Sequence, residues 1–258
     1  MAIPRTYRAE GIVLKGLDLG EADRIVTIYT RAFGKVRAVA KGVRRPTSRL
    51  VGHVEPLAHG IFQLAKGREL DIVTQAETRA TYRGVREELL ATAAGWYVAE
   101  LIDRFTVERQ PSAPTFGLLA TCLECLDRGF PPGLVCRWFD LHLLDRAGFR
   151  PELALCVHCG RAPEETENLF SASAGGVLCE RCRTASEGPV TLLSVRALKA
   201  LRYLARSEFA EAAKLRVEER LEAELERHLR GFLQYVLDRD VNAARFLDDV
   251  RALRAVTA

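Results

Sequence analysis

The chain has 258 residues, of which 48% are hydrophobic and 28% are charged, and this composition is that of an ordinary globular protein and excludes a disordered one. No apolar run approaches the roughly 18 residues of a membrane span. The first residues also lack the apolar segment of a secretory signal, so we expect an intracellular, cytoplasmic protein. In a reducing cytoplasm the seven cysteines predict metal ligands or buried thiols before disulfides.

Positive charge is concentrated towards the N-terminus. Residues 1–80 contain 14 Lys and Arg against 8 Asp and Glu, and the segment from Arg24 to Val54 contains eight basic residues and no acidic one. Such a concentration predicts a surface for a polyanion such as nucleic acid. The alternative is a basic face that is merely solvated.

Residues 8–80 predict a small β-barrel. Five short segments rich in Val, Ile, Thr and Tyr are separated by turns, several of which carry glycine. These predicted strands are Arg8–Leu17, Asp23–Thr30, Lys35–Gly42, His59–Ala65 and Leu70–Ala76. Five strands in about 75 residues is the count and size of an oligonucleotide-binding (OB) fold, so residues 1–80 are predicted to form an OB-fold nucleic-acid-binding domain.

The predicted third strand separates two kinds of side chain. Lys35, Arg37 and Lys41 share one parity and small apolar residues occupy the other, so a two-residue period puts the cations outside and the apolar residues inside. With the cations of neighbouring segments they form the set that we expect to contact phosphate groups. This set is Arg24, Lys35, Arg37, Lys41, Arg44, Arg45, Arg49, Lys66 and Arg68.

Aromatic side chains are the second requirement of a surface that binds single strands, because they stack on nucleobases. Phe33 is the favoured candidate, since it lies in the turn just before Gly34. Tyr7, Tyr29 and Phe62 are further candidates. We expect about half of these aromatic residues in the core, because a small barrel fills its interior with large side chains.

After Thr81 the pattern becomes helical, with apolar residues close to a 3.6-residue period. The predicted helices are Glu87–Thr106, Thr115–Asp127, Leu134–Ala147, Thr191–Leu204 and Glu208–Leu237. Residues 149–189 are rich in loops and poor in apolar pattern, so they need a support other than a core. The predicted fold is therefore α+β and multidomain: an N-terminal OB-fold β-barrel, then an α-helical C-terminal body over residues 81–258, interrupted by a zinc-binding insert at 149–189.

Two C-x2-C knuckles lie in this insert, and 19 residues separate them. Two thiolates from each tight turn complete a tetrahedron, so the spacing predicts one Zn²⁺ bound by Cys156, Cys159, Cys179 and Cys182. Four thiolates leave no position for water, which predicts a structural ion rather than a catalytic one. The alternatives are four buried thiols, two disulfides or an iron–sulfur cluster, with His158 as a competing ligand.

Catalytic motifs are absent from the sequence. It contains no P-loop, no G-x-S-x-G and no H-E-x-x-H. His53-Val-Glu55 matches half of the zinc deaminase signature, but the cysteine half lies about 100 residues away and already supplies four ligands. We therefore expect a binding protein and not an enzyme. Two rival hypotheses are an RNA-binding OB-fold protein and an adaptor that docks an acidic protein, each with a structural zinc ribbon. A third rival is a zinc hydrolase, which the closed four-thiolate shell argues against.

Three further cysteines lie in helical patterns. Cys122 and Cys125 form a third C-x2-C, but no turn residues surround them. Free cysteine packs as a small hydrophobic residue, so we expect these two and Cys136 in the core.

A family resemblance is carried by residues 20–49. The segments 20–26 (Gly-Glu-Ala-Asp-Arg-Ile-Val) and 33–45 (Phe-Gly-Lys-Val-Arg-Ala-Val-Ala-Lys-Gly-Val-Arg-Arg), followed by Ser48-Arg49, closely resemble the N-terminal region of the RecO family of bacterial DNA-repair proteins. The order of parts agrees as well: a small barrel, a helical body and an inserted cysteine-rich element. The resemblance is most specific at residues 16–50, and the helical body is matched in outline.

The resemblance implies a function and a set of partners. RecO proteins bind single- and double-stranded DNA, anneal complementary strands without ATP, and mediate the loading of RecA recombinase onto strands coated by single-stranded DNA-binding protein. They act with RecR and contact the acidic, apolar C-terminal tail of the single-stranded DNA-binding protein. These become the expected partners of this chain, with no membrane, and a nucleoid-associated location is expected. Some family members lack the cysteine set, so zinc is not required for the family's function in general.

Overall fold

The computed structural model describes residues 5–163, 166–238 and 240–257. The chain forms two compact units, Met1–Gly129 with Val241–Ala258 and Phe130–Asp240. Within the described ranges, every helix is too short or too polar to cross a membrane. The division into domains at residue 80 stays a prediction, because compactness groups the barrel with the helices that follow it.

A closed five-stranded barrel opens the first unit, as the sequence predicts. Its strands are β1 (Thr6–Leu19), β2 (Asp23–Thr30), β3 (Gly34–Ala40), β4 (His59–Ala65) and β5 (Asp71–Ala80). They follow each other around the barrel in the order β1-β2-β3-β5-β4, with β3 and β5 parallel and the other pairs antiparallel. The predicted fold class is confirmed.

Two features of the sequence close the barrel. In β3, Val36, Ala38 and Ala40 are fully buried while the residues between them face outward, which is the predicted alternation. In β1, the register shifts between Val13 and Lys15, and such a bulge bends a strand. The first half of β1 pairs with β4 and the second half with β2, so this one long strand joins the two edges of the sheet.

Four helices complete the first unit: α1 (Arg83–Glu87), α2 (Leu89–Phe105), α3 (Ala113–Asp127) and α8 (Asn242–Thr257). α2 begins after Glu88, whose carboxylate accepts hydrogen bonds from the first backbone N–H groups of the helix. α8 packs on α2 and buries Leu247 and Val250 against Ala93. α8 is not among the helices predicted from the sequence.

The second unit combines helices with a small sheet. Its elements are α4 (Pro132–Arg146), β6 (Asn168–Ser171), β7 (Gly176–Leu178), a 3-10 helix (Glu180–Ala185), β8 (Val190–Leu193), α5 (Val195–Arg206), α6 (Phe209–Ala212) and α7 (Glu219–Leu237). The strands form an antiparallel sheet in the order β7-β6-β8. The sequence predicts loops and the start of a helix in this region, and the sheet was not predicted.

Two predicted helices are wrong in extent. Thr191–Leu204 begins as strand β8, and α5 starts only after Ser194, whose hydroxyl caps the helix by accepting from the N–H of Ala197 at 3.1 Å. Glu208–Leu237 is not one helix, because residues 215–218 between α6 and α7 belong to neither a helix nor a strand. In that segment partly buried and exposed side chains alternate, which is the two-residue period of an extended chain.

Candidate nucleic-acid interface and candidate metal centre

The segment 41–49, which we call the basic loop, is fixed to the barrel by apolar anchors. Val43 is 3% exposed and Val54 is fully buried, and both belong to the barrel core. Between these anchors the chain forms consecutive turns, and Arg44, Arg45 and Arg49 remain exposed. Burial of apolar side chains lowers the free energy of the folded chain, whereas burial of an unpaired charge raises it. The valines therefore point into the barrel and the cations face the solvent.

Arg24 lies between two carboxylates. Its guanidinium donates to Asp18 Oδ1 at 2.9 Å and to Glu55 Oε1 at 2.8 Å. Arg44 also approaches Asp18, at 3.5 Å, and donates to the carbonyl of Gly20 at 3.1 Å. The hydrogen bond from Arg24 lowers the pKa of Asp18, so this carboxylate is charged at neutral pH. The acids therefore offset part of the positive charge here, and a DNA contact by Arg24 stays a prediction.

Lys35 and Arg37 face the end of α2 and the residues that follow it. Lys35 Nζ lies 3.1 Å from Asp103 Oδ1, and Lys15 pairs with the same carboxylate. Burial opposes the ionisation of Asp103, but the hydrogen bond from Lys15 and the charge of Lys35 together lower its pKa. Arg37 Nε is 3.9 Å from Glu108 Oε1, and both side chains are about half exposed. Lys35 is thus held in a partly buried ion pair, whereas Arg37 is accessible.

Five of the predicted cations are exposed and form no ion pair within the described residues: Lys41, Arg45, Arg49, Lys66 and Arg68. The strand register separates them into two groups. Ala40 at the end of β3 lies opposite Arg24, so the basic loop starts beside the β1–β2 turn. β5 enters alongside Ala38 and runs parallel to β3, so the β4–β5 turn with Lys66 and Arg68 lies towards the start of β3. The two groups flank the outer face of β3 from opposite ends.

Most of the aromatic candidates are core residues. Tyr29 and Phe62 are fully buried and Tyr7 is 5% exposed. Phe33 is half-buried, and its ring centroid lies 4.5 Å from that of Tyr7. The structure therefore leaves only part of the Phe33 ring open to solvent, and stacking of Phe33 on a nucleobase stays a prediction.

The four predicted metal ligands converge in the second unit. The Sγ atoms of Cys156, Cys159, Cys179 and Cys182 all lie within 4.8 Å of one another. The Cys159–Cys179 separation is 3.8 Å, close to the edge of roughly 3.8 Å of a tetrahedron with metal–sulfur bonds of about 2.3 Å. All four thiols are free, so the disulfide alternative does not describe this geometry.

Electrostatics within the cluster favours a cation. Burial opposes ionisation of Cys156, but backbone N–H groups of Cys159, Cys179 and His158 stabilise the thiolate and lower its pKa to about 6. The pKa of Cys182 is raised to about 12, first by burial and then by the neighbouring cysteines. Thiols this close cannot all ionise without a compensating charge, which a metal ion bound among them would supply. His158 Nδ1 lies 3.5 Å from Cys182 Sγ, beside the cluster.

The small sheet positions the two knuckles. Val157 in the first knuckle donates its N–H to the carbonyl of Val177 in β7 at 2.9 Å, and the second knuckle follows β7 directly. Gly160 closes the first knuckle with a φ of +70°, a conformation that glycine adopts without strain. Leu169 and Leu178 are buried against the cysteines. The four thiols are thus held by a sheet whose own apolar core is small.

Comparisons with known proteins identify the family of this chain. Residues 1–82 match the family described as "Recombination protein O N terminal", and residues 86–245 match "Recombination protein O C terminal". The chain belongs to the RecO family. The chain is 40% identical over 249 residues to "DNA repair protein RecO" of Roseiflexus sp. (strain RS-1), covering 96% of this chain and 87% of the relative. It is 34% identical over 252 residues to the protein of the same name from Dehalococcoides mccartyi (strain ATCC BAA-2100 / JCM 16839 / KCTC 5957 / BAV1), covering 97% and 98%.

A third relative is more similar over a shorter stretch. "DNA repair protein RecO" of Nocardioides sp. (strain ATCC BAA-499 / JS614) is 44% identical over 201 residues, which are 75% of this chain and 82% of the relative. The boundary between the two RecO family matches falls at residues 82–86, where the barrel ends and α1 begins. The resemblance to the RecO family that residues 20–49 suggest is therefore confirmed along nearly the whole chain.

One cluster in this RecO-family chain has no signal in the sequence. Arg109 donates to Tyr7 Oη at 2.8 Å and to Asp71 Oδ2 at 2.7 Å, and the Tyr7 hydroxyl donates to the same carboxylate. Asp71 is 2% exposed, and the N–H of Arg109 donates to the carbonyl of Lys35 at 3.0 Å. The segment after α2 thus fastens β1, β3 and the start of β5. Only the tertiary structure brings together residues that lie so far apart in the sequence.

The remaining candidates have structural partners. Cys122 and Cys136 are fully buried and Cys125 is 5% exposed, as expected of core residues, and burial raises the pKa of Cys125 to about 11. His53 Nδ1 lies 2.6 Å from Thr78 Oγ1. Its neighbour in the deaminase-like motif, Glu55, pairs with Arg24 as described above.

Proposed function

We propose that this chain binds single- and double-stranded DNA through its barrel, and that it anneals complementary strands without ATP during recombinational repair. Membership of the RecO family supports a role in DNA repair and recombination. The observation that carries the DNA-binding proposal is the basic loop, whose Lys41, Arg45 and Arg49 are exposed and form no ion pair in the described part of the chain. Because these cations are not paired with carboxylates, they can contact phosphate groups and release counterions from DNA without first breaking an ion pair.

Annealing fits this surface because it needs no bond to be broken. Two complementary strands repel each other through their phosphates, and exposed arginines and lysines neutralise part of that charge. Once the strands meet, base pairing supplies the free energy. The proposal therefore includes neither a catalytic residue nor a nucleotide, and the chain acts as a binding protein rather than an enzyme.

Two protein partners belong to the proposal. We expect RecR and the acidic, apolar C-terminal tail of single-stranded DNA-binding protein to bind this chain, since the RecO family acts with both. The chain then mediates recombinase loading onto covered single strands, in the cytoplasm at the nucleoid. An acidic tail is attracted to a basic protein at long range, and that attraction weakens with salt.

The four-cysteine cluster is proposed to hold one structural Zn²⁺. Sulfur donors at tetrahedral separations favour zinc or an iron–sulfur cluster over hard cations, and a single ion fits a cluster whose sulfurs all lie within 4.8 Å. Cys156, Cys159, Cys179 and Cys182 would hold the ion, which supplies the positive charge that lets all four thiols ionise. The ion then supports the fold of residues 149–189 and takes no part in a reaction.

The test of DNA binding uses charge reversal in the basic loop. The double variant Arg45→Glu with Arg49→Glu is titrated with a labelled single strand and a labelled duplex between about 50 and 200 mM salt. We expect weaker binding to every sequence alike, and a slope of log affinity against log salt that is less steep by about 1.4 for the single strand, since each phosphate contact contributes about 0.7. Annealing of two complementary dye-labelled strands, without nucleotide, should slow in parallel.

A matched control carries the same change of charge in the other compact unit. Arg216 and Arg220 are both exposed and form no ion pair among the described residues, so Arg216→Glu with Arg220→Glu should leave the slope as in the wild type. Equal effects of the two double variants would mean that net charge, not the basic loop, determines binding. Competition with RNA oligomers separates this proposal from an RNA-binding OB-fold protein, and a wild type that binds neither nucleic acid leaves the protein-docking adaptor.

A further inference from the structure

The outer face of the barrel carries a row of aliphatic side chains across four strands. Leu17 in β1 lies opposite Ile25 in β2, Ile25 lies opposite Val39 in β3, and Val39 lies beside Ile72 in β5. Val26 in β2, Ala38 and Ala40 in β3, and Val73 in β5 are direct neighbours of these positions and belong to the barrel core, so by alternation the row points outward. We call these four residues the aliphatic row.

Solvent reaches this row. Leu17 is 69% exposed, the largest exposure among the big hydrophobic side chains of the described residues, and the other three members are partly exposed. A single exposed leucine needs no explanation, but aliphatic side chains aligned across four strands form a contiguous apolar surface. Such a surface gains free energy when a partner covers it.

The two sides of the aliphatic row differ in charge. Val39 in β3 stands between Arg37 and Lys41, which lie two residues before and after it and are both exposed. Beyond Lys41 follow the exposed cations of the basic loop, with Asp18 as the one carboxylate that pairs with them in the described residues. Phosphate groups therefore find their strongest attraction along this side.

The other side of the row is a cleft of mixed charge. It has a volume of about 590 Å³ and its lining includes three cations, Lys15, Lys35 and Arg37, and two carboxylates, Asp103 and Glu108. The carboxylates offset most of that positive charge and repel phosphate groups. Side chains of both signs, however, offer hydrogen-bond donors and acceptors to the polar edges of nucleobases. This side suits bases better than the sugar–phosphate backbone.

We propose that the aliphatic row is the platform on which the bases of a single strand lie, with the phosphates along the basic loop and the base edges in the cleft. This inference rests on the proposed DNA binding and assigns the residues that contact bases. None of the aromatic candidates of the barrel belongs to the row: Tyr7, Tyr29 and Phe62 are buried, and Phe33 packs on Tyr7. Aliphatic side chains accept the flat face of any base without directional demands, so the platform is tolerant of sequence.

The platform also discriminates single strands from duplexes. In a duplex the bases are stacked and paired, so their faces cannot lie on the row, whereas the phosphates remain available to the basic loop. The loop alone therefore binds both forms of DNA, and the row adds affinity for the single strand only. This difference favours annealing, because the bases leave the aliphatic row as the duplex forms and the product is bound less tightly than the single strand.

The test removes the apolar surface and keeps the charge. Leu17→Ser with Ile25→Thr is compared with the wild type for a labelled oligothymidylate and a labelled duplex over a series of salt concentrations. We expect binding of the single strand to weaken about tenfold, in line with the apolar area lost, with an unchanged salt slope and unchanged duplex binding. Leu192→Ser is the control, since Leu192 is also an exposed strand residue, at 55%, in the other unit.

A second variant guards against loss of folding. Leu17→Trp puts an indole on the most exposed position of the row. A single strand should bind more tightly to this variant than to the wild type and should quench the fluorescence of the new indole. A duplex should bind as to the wild type and leave the fluorescence unchanged. Single-strand affinity of the double variant equal to the wild type, or an equal loss for duplex, overturns the platform. A wild type that binds no DNA, or an Arg45→Glu with Arg49→Glu variant that binds normally, overturns the proposed function instead.

Discussion

The barrel and the three-stranded sheet are both small β structures, and they are stabilised in different ways. In the barrel every strand has two neighbours, and the inward residues form one apolar core from Tyr7 to Val73. In the sheet the strands have only three or four residues, and its core consists of Leu169, Leu178 and three of the four clustered cysteines. Three short strands bury too little apolar area to offset the entropy of ordering the chain. The comparison indicates that cysteines take the place of apolar side chains where a segment of the chain is too short to build a core of its own.

The largest effect is expected from the removal of a cysteine ligand. Cys156→Ser should lose the bound metal and all protection against hydrogen exchange at residues 149–189, while the barrel keeps its protection, because structural zinc contributes about 10–16 kcal/mol in small zinc domains. Elemental analysis should find one zinc per wild-type chain and none in the variant. A chelator should reproduce the pattern in the wild type.

Two results would contradict this view of the sheet. If elemental analysis finds iron instead of zinc in the wild-type protein, the four cysteines hold an iron centre and not a zinc ion. Full protection of residues 149–189 in the variant would show that the sheet folds without metal.

The barrel should respond to a different change. Asp71→Ala removes the buried carboxylate that binds Tyr7 and Arg109, and we expect the free energy of unfolding of the first unit to fall by about 3 kcal/mol. Urea denaturation of the full chain, followed by a probe in the barrel, measures the loss. Asp18→Ala is the matched control, because it removes an exposed carboxylate from the same barrel and should cost much less. Equal losses would show that the buried cluster does not fasten the strands.

A smaller effect is expected on the stability of the second unit when the pH is lowered. His228 is 3% exposed, and burial lowers its pKa to about 4, below the value of about 6.5 in the unfolded chain. The unfolded state therefore binds the proton more tightly. The contribution of neutral His228 to the free energy of unfolding is fully present above about pH 6.5 and is lost as the pH falls towards 4. At pH 5 the loss is about 2 kcal/mol.

The cysteine ligands also bind protons at low pH, so the measurement is a difference between two proteins. The free energy of unfolding of wild type and His228→Phe is compared between pH 7 and 5, each with bound metal. The variant should lose less stability than the wild type over this interval. Parallel curves for the two proteins would assign the whole pH dependence to other groups.

Much of the barrel was visible in the sequence because its signals are local. Alternation in β3 and the glycine-bearing turns predict strands within a few residues of their observed bounds. The C-x2-C spacing predicts the cysteine cluster for a similar reason, since two thiols on one turn point to the same side. The sheet and α8 were missed, because strands of three or four residues carry too little pattern and α8 has a weak apolar stripe.

The sequence by itself determined the fold class, the RecO family, the four clustered cysteines and the concentration of cations near residue 40. It did so because each depends on neighbours along the chain. The tertiary structure decided which cations are free. Arg24 meets carboxylates from β1 and from the segment between β3 and β4, and Lys35 meets one from α2, while Lys41, Arg45 and Arg49 stay exposed. It also decided the aliphatic row and the fastening by Arg109. Cross-strand register and packing between distant segments create both, and neither leaves a local pattern.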